Sequence, residues 1–373
     1  MNDMIRIPVV LYRGGTSKGV FFKENDLPVD PQLRDRIICA VFGSPDKRQI
    51  DGLGGADPLT SKVAIIGPPS RPDADVDYTF GQVDIGSANI YYGGVCGNIS
   101  AAVGPYAVDE GLVRAAEPST RIRVHSKNIG RIIEALVPTR DNRVVASGDF
   151  AIDGVPGTGA KIELNWVDTV GANTGRLLPT GNPQDRLEVE GYDPVTVSLV
   201  DVGNVGLFIR AADLGLRGTE GPDEVDPDAE LLKRIAAIEA AAYKKIGRYA
   251  FLTFVSEAQN YTDYTTGHEI AAADVDYLVR MIFMGKMHKT YAASMINCCG
   301  TASVVPGTVV NEVTSPEPSR TGIVRMGHPA GKAELETQVE VAGTAINIRK
   351  ILVNRTARRL MEGYAYIKPE SLR

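Results

Sequence analysis

The chain has 373 residues, 43% of them apolar and 23% charged, with a formal net charge of −6 and an isoelectric point near 5.4. That length calls for two domains of ordinary size, and the apolar fraction supplies a core for each. The acidic balance argues against nucleic acid or an anionic membrane as the main partner, while leaving room for a small anionic substrate in a local basic pocket.

Met1 to Pro8 lacks the apolar core of a signal peptide, and no run of 18 apolar residues occurs, so a cytoplasmic protein with no membrane partner is expected. RIPVVLYR (6–13) reads as the first strand, and GVFFK (19–23) as the second, with RGGTSK turning between them. Lys18 precedes Gly19 and another strand, so a P-loop is rejected. Thr16, Ser17 and the backbone of that turn remain candidates for holding a carboxylate. Cys39, in the apolar run IICAVF, reads as core.

KVAIIG and DYTFGQVDI read as strands. Lys62 opens the first of them after the glycine-rich loop DGLGGADPLTS. An amine at the mouth of a buried strand is either solvated or engaged; in a dry site desolvation favours its neutral form, which suits a general base. GGVCGNISAAVGPYAV (93–108) follows. Cys96 is expected at the start of a small-residue helix threaded through a sheet-lined core. Free backbone N–H groups and the positive helix end there favour a thiolate and bind carboxylate oxygens, with Gly97 and Asn98 as further ligand contacts.

RIIEALVP, VTVSLVDV, YAFLTFVS and most of residues 338–361 also have strand character. Asp226 and Pro227 are expected to open a helix ending at Gly247, and a second helix is expected over about 269–286. Leu177 to Pro194, with three prolines, marks the boundary between domains 1–184 and 185–373. His288, Lys289, Arg325 and His328 are candidate cations for a carboxylate. No CxxC and no i,i+4 histidine pair occurs, so no metal is expected.

The chain resembles itself. GVFFKENDLP from Gly19 is echoed by GLFIRAADLG from Gly206, and Cys96-Gly97-Asn98 by Cys299-Gly300-Thr301. Without regular strand–helix alternation, an α+β fold of two related halves fits better than a doubly wound sheet.

RGGTSKG, GADPLTSK, CGN with GP at Gly104–Pro105, MHKTYA, PGTVVN and GHPAG, taken together and in order, resemble the 2-methylaconitate isomerase family, with its 3-methylitaconate Δ-isomerase and 4-oxalomesaconate tautomerase relatives. The resemblance covers residues 7 to 331. It implies a diaminopimelate-epimerase-like fold, in which two similar domains each wrap a sheet around a central helix. It further implies cofactor-independent allylic isomerisation of a small unsaturated di- or tricarboxylate, with 3-methylitaconate to 2,3-dimethylmaleate as the best fit. Lys62 and Cys96 match the family's catalytic pair, and Thr16, Ser17, Lys18, Gly97 and Asn98 its substrate loops. Lys289, Ser294 and His328 join them as expected substrate contacts; Ser294-Met295 and His328-Pro329-Ala330-Gly331 depart from the family pattern. Two other readings stand beside this one: a racemase using Cys96 and Cys299, one per half, and a carboxylate-binding protein without catalysis. A homodimer fits a soluble enzyme.

Overall fold

The computed structural model describes residues 3–342 and 345–372, the side chains of 341, 342 and 345 apart. It divides into two compact units. The first contains Met1–Ala151, Gly157–Leu164 and Arg355–Arg373, and the second Ile152–Pro156 and Asn165–Asn354. A boundary at 184/185 therefore differs from the contact boundary. The final strand, Ala357–Ile367, pairs antiparallel with the first strand and so belongs to the first unit. The proline-rich stretch lies inside the second unit, where Asp185–Leu187 pairs with the strand that follows it.

In the first unit the strands are β1 (Ile5–Gly14), β2 (Ser17–Lys23), β3 (Lys62–Gly67), β4 (Val76–Val83), β5 (Ile90–Tyr91), β6 (Ser119–Ser126) and β7 (Arg131–Arg140). The sheet runs β1-β2-β3-β4-β6-β7, with pairings antiparallel, parallel, antiparallel, parallel and antiparallel. Side chains alternate between its faces. Val20, Phe22, Val63 and Ile65 point one way and pack on α1 (Pro31–Phe42) through Ile37, Ile38, Val41 and Phe42. Cys39 is part of that core, as expected. The α1 helix itself was not expected, although its signals are present: the Asp30 side chain accepts the Leu33 amide, Pro31 follows, and Gly43 ends it in the left-handed region.

The other face wraps α2 (Gly97–Asp109). Every residue of this helix from Gly97 to Val108 is buried, and it touches β1, β2, β3, β6, β7 and the final strand. Such close threading needs a bare backbone at Gly104, where a Cβ would stand 2.8 Å from Val137 Cγ2.

The second unit repeats this plan. Its strands are β8 (Val195–Val202), β9 (Asn204–Arg210), β10 (Phe251–Glu257), β11 (Tyr277–Phe283), β12 (Ile323–His328) and β13 (Gly331–Ala342), joined in the same sequence of antiparallel and parallel pairings. The outer helix α3 (Ala229–Ile246) buries Leu231, Ile235, Ile238 and Ala242 against Leu207, Ile209, Leu252 and Phe254. The central helix α4 (Ala293–Ser303) is buried along its whole length. Its eighth residue, Gly300, matches the eighth residue of α2, Gly104, and a Cβ there would collide with Leu335. The duplication is thus present in strand order, pairing sense and helix register.

Two expected elements change. The cap of α3 is Asp228, which accepts the Leu231 amide, whereas Asp226 accepts the Met287 amide instead. No helix forms over 269–286 beyond a short 3-10 turn at Ala272–Asp274; its second half contains strand β11, an apolar run in which all but Phe283 are buried. Such a run carries no period that separates a central strand from a buried helix.

Candidate active site

Lys62 is the first residue of β3, opposite Gly19 of β2 and Gln82 of β4. It is 6% exposed. Its Nζ donates to Gln82 Oε1 at 2.8 Å and lies 5.5 Å from the centre of the Phe80 ring. Gln82 Nε2 donates to the carbonyls of Pro58 and Ser61, at 3.1 and 3.0 Å, which turns the amide oxygen toward the lysine. No carboxylate among the described residues pairs with the amine.

Cys96 is the N-cap of α2, in extended conformation, and its Sγ accepts the Ile99 amide at 3.5 Å. The Gly97 and Asn98 amides sit in the first turn, where a helix has no acceptor of its own for them. Asn98 is locked to the β1–β2 turn: its Nδ2 donates to Thr16 Oγ1 at 3.0 Å, and its Oδ1 accepts the Thr16 amide at 3.4 Å. Ser17 is 2% exposed, and its hydroxyl has no partner among the described residues. It shares the α2 side of β2 with Gly19 and Phe21. By the same alternation Lys18 lies on the opposite side, apart from this group.

The amine and the start of α2 lie on one side of the sheet: Gly19, opposite Lys62, is bare where a Cβ would stand 3.1 Å from Ile99 Cδ1, three residues after Cys96. Tyr78, Phe80 and Gln82 share the α2 face of β4, with successive members roughly 7 Å apart. Phe80 lies beneath the Lys62 amine. The Tyr78 phenol is pushed well above its ordinary range, first by burial and next by the charge of the Cys96 thiolate. Lys62, Cys96, Gly97, Asn98, Thr16 and Ser17 therefore converge on one end of the first unit's sheet. Gln82, Phe80 and Tyr78 belong to the same group but were not singled out by the sequence. Their signal was the alternation in YTFGQ, which becomes readable only once β4 is paired with β3.

The remaining candidates belong to the second unit. Lys289 is exposed, in the stretch ahead of α4. Ser294 is buried in the first turn of α4 and accepts Asn204 Nδ2 at 2.9 Å, from the first residue of β9. This is the counterpart of the Asn98–Thr16 lock. His328 is 3% exposed, and its Nδ1 accepts the Ala330 amide at 3.2 Å, which leaves the ring proton on Nε2.

The duplication fails at the chemical positions. Gly206 of β9 stands opposite Phe251 as Gly19 stands opposite Lys62, so Phe251 occupies the lysine's place. Phe283 lies beside it, ring centres 5.8 Å apart, where the first unit has Gln82. The N-cap of α4 is Ala292, in the place of Cys96. Cys299 is not the equivalent of Cys96. It is the seventh residue of α4, fully buried, and its Sγ accepts the Tyr277 hydroxyl at 3.5 Å. A mechanism with one cysteine at each helix start thus has no second thiol in position.

Of the four thiols, only Cys96 is partly exposed. Burial pushes the Cys39 thiol up to about 11 and the Cys299 thiol up to about 12, and holds Cys298 well above its ordinary range. Iodoacetamide at pH 8 is expected to label the native protein at Cys96 alone, as read by peptide mass mapping. Faster labelling at any of the other three contradicts this picture.

A sheet wrapped around a central helix, twice over, defines a protein of the diaminopimelate-epimerase-like class. The same fold appears in a hydroxyproline epimerase from Agrobacterium vitis, at a TM-score of 0.59 and 11% identity over 98% of this chain and 94% of that one. The chain belongs to the PrpF protein family, which it matches over residues 4–368. It is 47% identical to 3-methylitaconate isomerase of Eubacterium barkeri over the full length of both proteins. The crystal structure of a methylitaconate-delta-isomerase matches it at a TM-score of 0.82 and 46% identity, over 100% of this chain and 98% of that one. The chain is therefore an enzyme of the isomerase class, and a purely carboxylate-binding role is set aside. No helix among the described residues is long and apolar enough to cross a membrane.

Proposed function

We propose that this enzyme shifts a proton across an allylic unit of a small unsaturated dicarboxylate, converting 3-methylitaconate and 2,3-dimethylmaleate into each other. One observation carries the reading: Lys62 opens β3 on the side of the sheet that the start of α2, capped by Cys96, covers, with Ile99 pressing on Gly19 opposite the lysine, and the second unit has phenylalanine and alanine in the places of Lys62 and Cys96. The identity to 3-methylitaconate isomerase supports the substrate.

In the forward direction the neutral Lys62 amine takes the proton from the carbon that bears the methyl group. The C–H electron pair becomes a new C=C bond, and the old C=C pair moves toward the methylene carbon. In the dienolate between these steps, negative charge rests on a carboxylate. The Gly97 and Asn98 amides, at the positive end of α2, suit that charge, and losing one such donor typically costs about 10²–10³ in rate. The Ser17 hydroxyl, buried and without a partner among the described residues, offers a further bond to a carboxylate oxygen. Cys96 then gives its proton to the methylene carbon, which becomes a methyl group. The ammonium and thiolate so formed return to their starting states by proton exchange, and the reverse reaction exchanges their roles.

In D₂O, proton NMR is expected to show deuterium entering the new methyl group of dimethylmaleate and the methyl-bearing carbon of recovered 3-methylitaconate. Exchange confined to 2-methylaconitate or 4-oxalomesaconate would move the substrate assignment to that compound. No exchange with any of the three would remove the proposal.

A further inference from the structure

A carboxylate would hold a lysine amine more tightly than an amide does, because its bond is charge-assisted. Yet the group that meets Lys62 Nζ is the neutral oxygen of Gln82, at 2.8 Å, in a side chain 3% exposed. Both donor bonds of that amide go to backbone carbonyls, Pro58 and Ser61. Turning the amide over would break both and aim an N–H at the lysine. The orientation is therefore held from behind, by the loop that leads into β3. The fold does not require an amide at this position, since the second unit has Phe283 there beside Phe251.

The other titratable groups on the elements around Lys62 are Cys96, Tyr106 and Asp109 with α2, Asp77 and Tyr78 on β4, Tyr91 on β5 opposite Gln82, Lys23 on β2, and Asp57 ahead of β3; Asp77 bonds His125, Asp109 accepts the Tyr12 hydroxyl, and Lys23 pairs with Glu110. Asp57 turns its carboxylate to the Leu59 amide. Lys18 of β2 alternates to the opposite face.

We infer that Gln82 is a positioning residue for the proton shift, holding the Lys62 amine in place through a neutral acceptor that serves its charged and uncharged forms alike. A neutral amine still has an N–H to give to Gln82 Oε1, and doing so turns its lone pair away from the amide toward the open side. A carboxylate in the same place would favour the ammonium and withhold that lone pair. This inference rests on the reading of Lys62 as the base.

The test is the pH dependence of kcat with 3-methylitaconate in three variants. In Gln82→Glu the side chain keeps its size and gains a charge. The rising limb of the profile is expected to move up by about 1–3 pH units. At a fixed pH on that limb the rate then falls about 10- to 1000-fold. In Gln82→Met the acceptor is gone without a new charge; kcat is expected to fall tenfold or more while KM stays within threefold. A purely structural role would lower the melting temperature and leave the limb where it was. An unmoved limb in Gln82→Glu overturns the inference. If that variant does not fold, wild-type kcat in Gln82→Met overturns it, and a lowered kcat with KM retained supports it. Lys62→Ala separates the two levels: full activity there removes the base assignment and the inference together, whereas an inactive Lys62→Ala beside an unmoved Gln82→Glu limb defeats the inference alone.

Discussion

Lys62→Ala is expected to lower kcat for 3-methylitaconate by about 10²–10⁴-fold, the usual contribution of a positioned proton-transfer group, and to abolish deuterium exchange in the same proportion. The substitution removes the amine that meets Gln82 and leaves Gln82 Oε1 without its donor. An unpaired buried acceptor costs about 1–3 kcal/mol, so the protein is expected to remain folded with a modestly lower unfolding midpoint. Lys62→Met, which keeps the aliphatic stem over Phe80, separates this loss of packing from the loss of the amine. Cys299→Ser is the contrasting variant. Its thiol lies in the middle of α4, accepting a bond from Tyr277, and a serine hydroxyl can accept the same bond. Activity within a few-fold of wild type is expected. The opposite pattern, an active Lys62→Ala and an inactive Cys299→Ser, would restore the two-cysteine mechanism and end the one proposed here.

The contrast between these two residues also shows how far the sequence can be read. The duplication is legible in GVFF and GLFI, because strand β2 and strand β9 occupy equivalent places and each keeps a glycine where a Cβ would be crowded, by the Lys62 carbonyl and Ile99 in one and by Phe208 and Cys298 in the other. The central helices are harder. Identity of letters aligns Cys96-Gly97 with Cys299-Gly300, yet the true register aligns Gly104 with Gly300, because both are bare where a helix presses on the sheet. That pressure is a property of the partner surface, and no local pattern reports it. The result is an error of seven residues that places a buried thiol at a catalytic position.

Other readings succeed or fail on similar grounds. Cys96 at a helix start was legible, since glycine-flanked polar residues ahead of a small-residue run are a boundary signal in themselves. Gln82 was not legible, because an amide in a strand belongs to no motif until pairing sets it opposite Lys62. Strand β11 was mistaken for helix because burial on both faces erases the period that would distinguish them. The end of the chain returns to the first unit through a pairing that spans more than 350 positions, from Ile5 to Ile367. Nothing near either strand announces that pairing.

Gly14→Ala is expected to damage activity and stability together, and through the same contact. Gly14 ends β1, opposite Ser17 of β2 and Ala357 of the final strand. The first turn of α2 lies directly on it. A methyl group at Gly14 would fall inside van der Waals contact of the Asn98 carbonyl oxygen and 3.2 Å from both Ala102 Cβ and Ile99 Cα. Two of these three atoms are backbone, so no rotamer change relieves the overlap. The helix start must retreat from the sheet by on the order of 1 Å to restore ordinary separations. Overpacking of this kind costs about 1–3 kcal/mol, measurable by denaturant titration. The retreat carries Cys96, Gly97 and Asn98 with it, while Lys62 stays on β3. A displacement of that size between two groups acting on one substrate is enough to cost about 10² in kcat. Gly86→Ala in the same unit, where the nearest atom to a new Cβ is Asp84 Oδ1 at 3.8 Å, is expected to leave both quantities near wild type. Wild-type kcat in Gly14→Ala would mean that the thiol need not be held against the sheet at all, and the paired action of Lys62 and Cys96 would then have to be abandoned.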